Sequence, residues 1–164
     1  MNVKKLTALS VSVALSLVLS YIESLIPPLV AVPGVKIGLA NIVTVFLLYS
    51  YSFREAAVVS FIRVSLSALL FGSTVSLIYS ASGALLSLVG MALIKLLPIS
   101  SPLSVSIVGG VLHNAAQIVC AIIIMENAAI SLYLPPLIIS GTVAGIAVGI
   151  AAALLTKKLT RIIR

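Results

Sequence analysis

The segment 113-HNAAQ-117 sets three hydrogen-bonding side chains inside an otherwise apolar run. On a helix, His113 and Gln117 are i,i+4 neighbours and Asn114 and Gln117 are i,i+3, so all three share one face, spread over roughly a third of its circumference. Such a face either joins helices through interhelical hydrogen bonds, each contributing about 0.6–2 kcal/mol, or lines a ligand. Three adjacent groups exceed what helix association needs, so a ligand-lining face is the expectation. Two ionisable residues also lie deep in apolar runs: Glu23, near the end of the first, and Arg63, midway along the third. A charge at the centre of a bilayer costs about 2.5–3.5 kcal/mol on insertion scales and faces a partner or a cavity. For Arg63 the alternatives are an ion pair with Glu23, bonds to backbone carbonyls, or a ligand. Tyr79, near the start of the fourth run, is a candidate stacking contact, whereas Tyr49, Tyr51 and Tyr133 fit interfacial aromatic belts.

Catalytic constellations are missing from this inventory. The chain contains no aspartate, and its three glutamates are dispersed. It has no paired-aspartate motif for diphosphate–magnesium chemistry, no Gly-rich phosphate loop and no HExxH. The expectation is therefore a protein that is not an enzyme, with no metal and no cofactor. A primary pump is excluded for want of a nucleotide site; a channel or a carrier remains. Cys120 stands alone in an apolar run and reads as a small packing residue.

The elements that must position these residues are transmembrane helices. Of 164 residues, 62% are hydrophobic and only 8% charged, against about a quarter charged in a soluble domain. Apolar runs of spanning length recur along the whole chain. One integral membrane domain, 1–164, is expected, with spans at about 6–26, 38–52, 54–71, 75–97, 103–125 and 130–156. Pro27-Pro28 and Pro33-Gly34 break the first link, Ser52-Phe53-Arg54-Glu55 supplies a charged turn, and 98-PISSP-102 and Glu126-Asn127 end the fourth and fifth spans. Spans two and three are short; a re-entrant pair is the alternative, but Arg54-Glu55 between them argues for two helices. The run 6–26 is too long for the apolar region of a signal peptide and no small-residue site closes it, so it reads as a retained first span.

Six spans place both termini on one side, together with Lys4, Lys5, Arg54, Lys95, Lys157, Lys158, Arg161 and Arg164. By the positive-inside rule that side is cytoplasmic. The net charge of +7 thus reflects topology, not nucleic-acid binding. The opposite side keeps Lys36, in the Pro-rich link 27–36, which is read as a lid or binding surface, or else as a rigid turn.

The external loop running into 33-PGVKIGLAN-41, six spans in so short a chain, and 112-LHNAAQ-117 in the fifth span resemble the Gx transporter family, within the substrate-binding S components of energy-coupling factor (ECF) vitamin transporters. Some of its members carry the label heptaprenyl diphosphate synthase component I. The resemblance covers essentially the whole chain. It implies a compact, S-component-like bundle of six helices in the plasma membrane, with a ligand pocket near the outer face and the loop around Pro33 and Gly34 closing over it. In that setting Lys36 offers a cation and Asn41 an amide beside the free N–H groups of a helix start, which suits an anionic or strongly polar substrate group; otherwise Lys36 snorkels to headgroups and Asn41 caps locally. The resemblance also implies partners: a membrane-embedded coupling protein, its ATPases and membrane lipid. Docking would use small residues of span one, where Ser10 and Ala14 form one small-xxx-small pair and Ala8 and Ser12 a second. Gly141, Gly145 and Gly149 of the last span are expected to pack inside the bundle or against a second copy. The implied function is capture of a vitamin-like or quinone- or flavin-precursor molecule. The alternative is an accessory membrane subunit of polyprenyl diphosphate or quinone synthesis.

Overall fold

The computed structural model describes residues 3–26 and 38–163, and their regular structure is entirely helical. Helices α1 (Val3–Leu25), α2 (Asn41–Ser50), α3 (Phe53–Phe71), α4 (Thr74–Lys95), α5 (Pro102–Met125) and α6 (Leu134–Ile163) follow in order, with a 3-10 turn, Ala128–Tyr133, leading into α6. Four segments are long and apolar enough to cross a membrane: α1, α4, α5, and the 3-10 turn joined to α6. The protein is an all-helical membrane protein.

Local chemistry fixes the ends. The Ser52 hydroxyl accepts from the Arg54 amide at 3.2 Å and starts α3, and Ser73 does the same for α4 through the Ser76 amide at 3.1 Å. Ser101 and Ser104 exchange bonds in a capping box, with Pro102 in the first turn of α5; there proline lacks only an N–H that would have no helical partner. Helices α2 and α3 are therefore two separate helices.

The second span departs from expectation. The helix covers Asn41–Ser50 instead of 38–52, because Gly38 takes φ +88° and residues 39–40 form a turn. A positive φ is a conformation that glycine adopts without penalty. Ten residues make a helix of only about 15 Å, half the hydrocarbon thickness of a bilayer.

This short helix is the hub. It touches α1, α3, α4, α5 and α6, which follow one another around it in that order, and α1 rests only on α2 and α3 among the described elements. Seven of its ten residues are buried. Val43, Val45, Phe46, Leu47 and Leu48 form the main apolar core with Ala56, Val59, Leu88, Met91, Val105 and Ala152. The α5–α6 seam is made by glycines. A Cβ on Gly145 would lie 2.6 Å from the Ile107 Cα, one on Gly149 would lie 2.9 Å from the Leu103 Cα, and Gly110 and Gly141 meet backbone to backbone. The glycine stripe of the last span thus packs inside the bundle.

One end of the bundle gathers basic residues. Lys5 pairs with Glu55, joining the starts of α1 and α3, and Lys95 donates to the Leu48 carbonyl and sits 5.4 Å from the Tyr49 ring centroid, joining the ends of α4 and α2.

Candidate functional site

Lys95 pins the C-terminal end of α2 to the basic end, so the N-terminal end of α2 lies half-way up the bundle. Backbone that is not helical is tolerated at such depth only where protein buries it or a cavity adjoins it. Here polar side chains from four other helices converge on that helix start.

Asn41 opens α2, is 5% exposed, and donates from Nδ2 to the Ser87 hydroxyl of α4 at 3.4 Å. Three residues earlier, the Gly38 amide donates to the Glu23 carboxylate of α1. His113 lies near Gly38 and against Gly83. A Cβ on Gly38 would be 3.8 Å from its Cδ2, and one on Gly83 of α4 would be 2.8–3.0 Å from three of its ring atoms. The imidazole therefore occupies a slot that exists only because Gly83 lacks a side chain. Gln117, one turn along α5, is fully buried at 0% exposure. On the other flank, Arg63 of α3 is 6% exposed and donates from Nη1 to the Ser20 hydroxyl of α1 at 3.3 Å. Glu23 and Arg63 form no direct ion pair with each other. Counted from the basic end, Asn41, Arg63 and Ser87 are nine, ten and eight residues along their helices, which puts them at a common height of about 12–15 Å.

The sequence-selected residues divide as follows. Asn41 and His113 come together at Gly38, with Gln117 buried one turn above His113 and Arg63 at the height of Asn41. Asn114 turns away to α6. Its Nδ2 donates to the Leu137 carbonyl at 2.8 Å and approaches the Ser140 hydroxyl at 3.4 Å, the helix-joining role weighed against ligand lining above. Tyr79 is buried one turn above Gly83 in a second apolar cluster with Ile118, Ala121, Ile130 and Leu137. Lys36, Pro33 and Gly34 lie outside the described residues. On α1 the small-residue pairs split: Ser10 and Ala14 are exposed, whereas Ser12 is buried and bonds the Ala8 carbonyl at 2.8 Å, with Ala8 half-buried. The outward pair is thus Ser10 and Ala14.

Sequence reasoning passed over Ser20, Ser87 and Gly83. The signal was present: Ser12, Ser16, Ser20 and Glu23 recur at four, four and three residues and are the buried residues of α1. Gly83, Ser87 and Gly90 do the same on α4.

Below this layer, toward the basic end, the apolar core around Leu47, Leu48 and Met91 is closed, each of the three being at most 1% exposed. The arrangement holds amides, an imidazole and a guanidinium next to a helix start. It can orient a polar molecule by hydrogen bonds.

A sequence model of the family described as heptaprenyl diphosphate synthase component I matches residues 12–155. No curated protein and no solved structure matches the chain. The chain belongs to the heptaprenyl diphosphate synthase component I family, whose members are ECF S-component-like membrane proteins of the Gx transporter type.

Proposed function

We propose that the protein is the substrate-capture subunit of an ECF-type micronutrient transporter in the plasma membrane. In this reading it carries out no catalysis. It takes a small vitamin-like or quinone- or flavin-precursor molecule from outside and releases it inward when ATPases drive a coupling protein. The observation that carries the reading is the start of α2 at mid-height, where Asn41, Ser87, Glu23 and His113 meet, with Gln117 and Arg63 buried at neighbouring height on α5 and α3. The amides of Asn41, Ile42 and Val43 bond the carbonyls of Gly38, Leu39 and Ala40 at 2.9–3.1 Å, so the free N–H groups expected at this helix start are already used in the turn. What the start of α2 offers a substrate is its positive dipole end and the side chains around it. The closed core beneath supports capture over a channel.

Orientation follows from the basic end. With Lys5, Arg54 and Lys95 cytoplasmic, six spans cross, both termini lie inside, and Lys36 lies outside with the loop that would close over the substrate. Coupling-protein docking falls to the outward pair, Ser10 and Ala14, whose small side chains allow close helix approach. The test is binding by the purified protein alone to a panel of vitamins and of quinone and flavin precursors, with co-purification from cells that express a coupling module. The reading expects binding without the module and a stable complex with it. Failure of both would count decisively against it.

A further inference from the structure

Arg63 is buried more completely than its partners explain. A guanidinium carries five N–H donors in a fixed plane and no acceptor. In this protein Nη1 reaches the Ser20 hydroxyl, while Nε and Nη2, both buried, have no hydrogen-bond partner among the described residues. Those two nitrogens share one edge of the plane, where an N–H from each runs parallel. This is the fork that receives a carboxylate or phosphate in a bidentate pair. The opposite side is the one held by α1, so Ser20 fixes the plane and leaves the fork.

Leaving buried donors unmet is costly, the more so on a charged group, and such groups in a native protein call for an explanation. A lipid headgroup does not supply one. Arg63 lies ten residues from the start of α3, about 15 Å along the helix axis, and its side chain is 6% exposed. Glu23 does not supply one either, since it forms no direct ion pair with Arg63 and gives hydrogen-bonding capacity to the Gly38 amide instead. Arg63 stands at the height of Asn41 and Ser87, in the layer at the start of α2.

We propose that the Nε/Nη2 edge of Arg63 is the anchor for an oxyanion, a carboxylate or a phosphate, on the molecule that the protein captures. The assignment rests on the substrate-capture reading and narrows it: the ligand is an acid, presented so that its anionic group faces α3 and the remainder faces Asn41 and His113. Oxyanion recognition then depends on the fork and not on positive charge alone, because a lysine at this position supplies a point charge without parallel donors.

The experiment begins with the molecule that co-purifies with the protein, identified by mass spectrometry and titrated back with its amide or, for a phosphate ester, its parent alcohol. Acetate and inorganic phosphate serve as minimal probes of the fork by thermal shift. The proposal expects a ligand with a carboxylate or phosphate, on the order of 100-fold weaker binding of the neutral analogue, and about tenfold weaker binding of the acid by Arg63→Lys with the neutral analogue unaffected. Whichever of acetate and phosphate protects the wild type, and not Arg63→Lys, identifies the oxyanion. Arg63→Met removes the charge beside Glu23, so its folding is checked before its binding is compared. A neutral ligand that binds wild type and Arg63→Lys equally would overturn the proposal and leave substrate capture standing. If nothing co-purifies and neither the probes nor the panel of small molecules binds, both fall.

Discussion

Gly83→Ala tests the slot that holds His113. The new methyl group would sit 2.8, 2.9 and 3.0 Å from the Cε1, Nδ1 and Nε2 atoms of the ring. Ordinary contact distances are about 3.5–4.0 Å, so the ring must shift by about 0.5–1 Å. Room on the Gly38 side is limited, since a Cβ position there lies 3.8 Å from Cδ2 of the ring. Overpacking of this kind costs about 1–3 kcal/mol. Replacing glycine inside a helix returns about 1 kcal/mol of propensity, so the single variant alone gives a net loss of up to about 2 kcal/mol. The double-mutant cycle removes that ambiguity. In a His113→Ala background the methyl group has no ring to meet, and Gly83→Ala should stabilise by up to about 1 kcal/mol. Reversible unfolding in mixed micelles, measured on the four proteins of the cycle, should therefore give a coupling energy of about 1–3 kcal/mol. Because the displaced ring belongs to the site beside Gly38, ligand affinity should fall about tenfold in the single variant. A coupling energy within about 0.3 kcal/mol of zero would mean that His113 does not rest on Gly83, and the geometry assigned to the site would be wrong.

Asn41→Ala and Gln117→Ala should each weaken ligand binding by about 1–3 kcal/mol, the cost of leaving a buried polar partner unmet, with membrane insertion unchanged; isothermal titration of the purified variants measures this. Asn114→Leu should behave differently, losing about 1–2 kcal/mol of stability in the unfolding assay through its bonds to Leu137 and Ser140, with affinity unchanged. Ser10→Trp, on the exposed face of α1, should spare ligand capture and abolish complex formation with the coupling protein, read by co-purification and by uptake in cells.

Much of the bundle was legible because membrane helices announce themselves by length and apolarity, and because proline and glycine mark their ends. The breaks at Ser52 and at Ser101-Pro102 follow from capping chemistry that is local to a few residues. The length of α2 was not legible. Residues 38–40 are as compatible with a helix start as residues 41–43, and only the left-handed conformation at Gly38 delays it. The division of 113-HNAAQ-117 was hidden for a related reason. Helical spacing places His113, Asn114 and Gln117 on one broad face, but which part of that face meets α4 and which meets α6 depends on glycines at 83 and 141, far away in sequence. Gly83 admits the imidazole. Gly141, whose Cβ position would lie 3.0 Å from the Asn114 Nδ2 atom, admits the amide. The same logic separates Ser10 from Ser12, which stand two residues apart and so on different sides of α1.

The most direct measurement is a structure of the purified protein with its captured molecule bound. The account predicts that molecule at the start of α2, with polar atoms within hydrogen-bonding distance of Asn41 and Gln117 and with the closed apolar core around Leu47 and Met91 beneath it. A molecule seated instead in the membrane-facing notch between α3 and α4, against Phe61, Val64, Ala84 and Leu85, would contradict it.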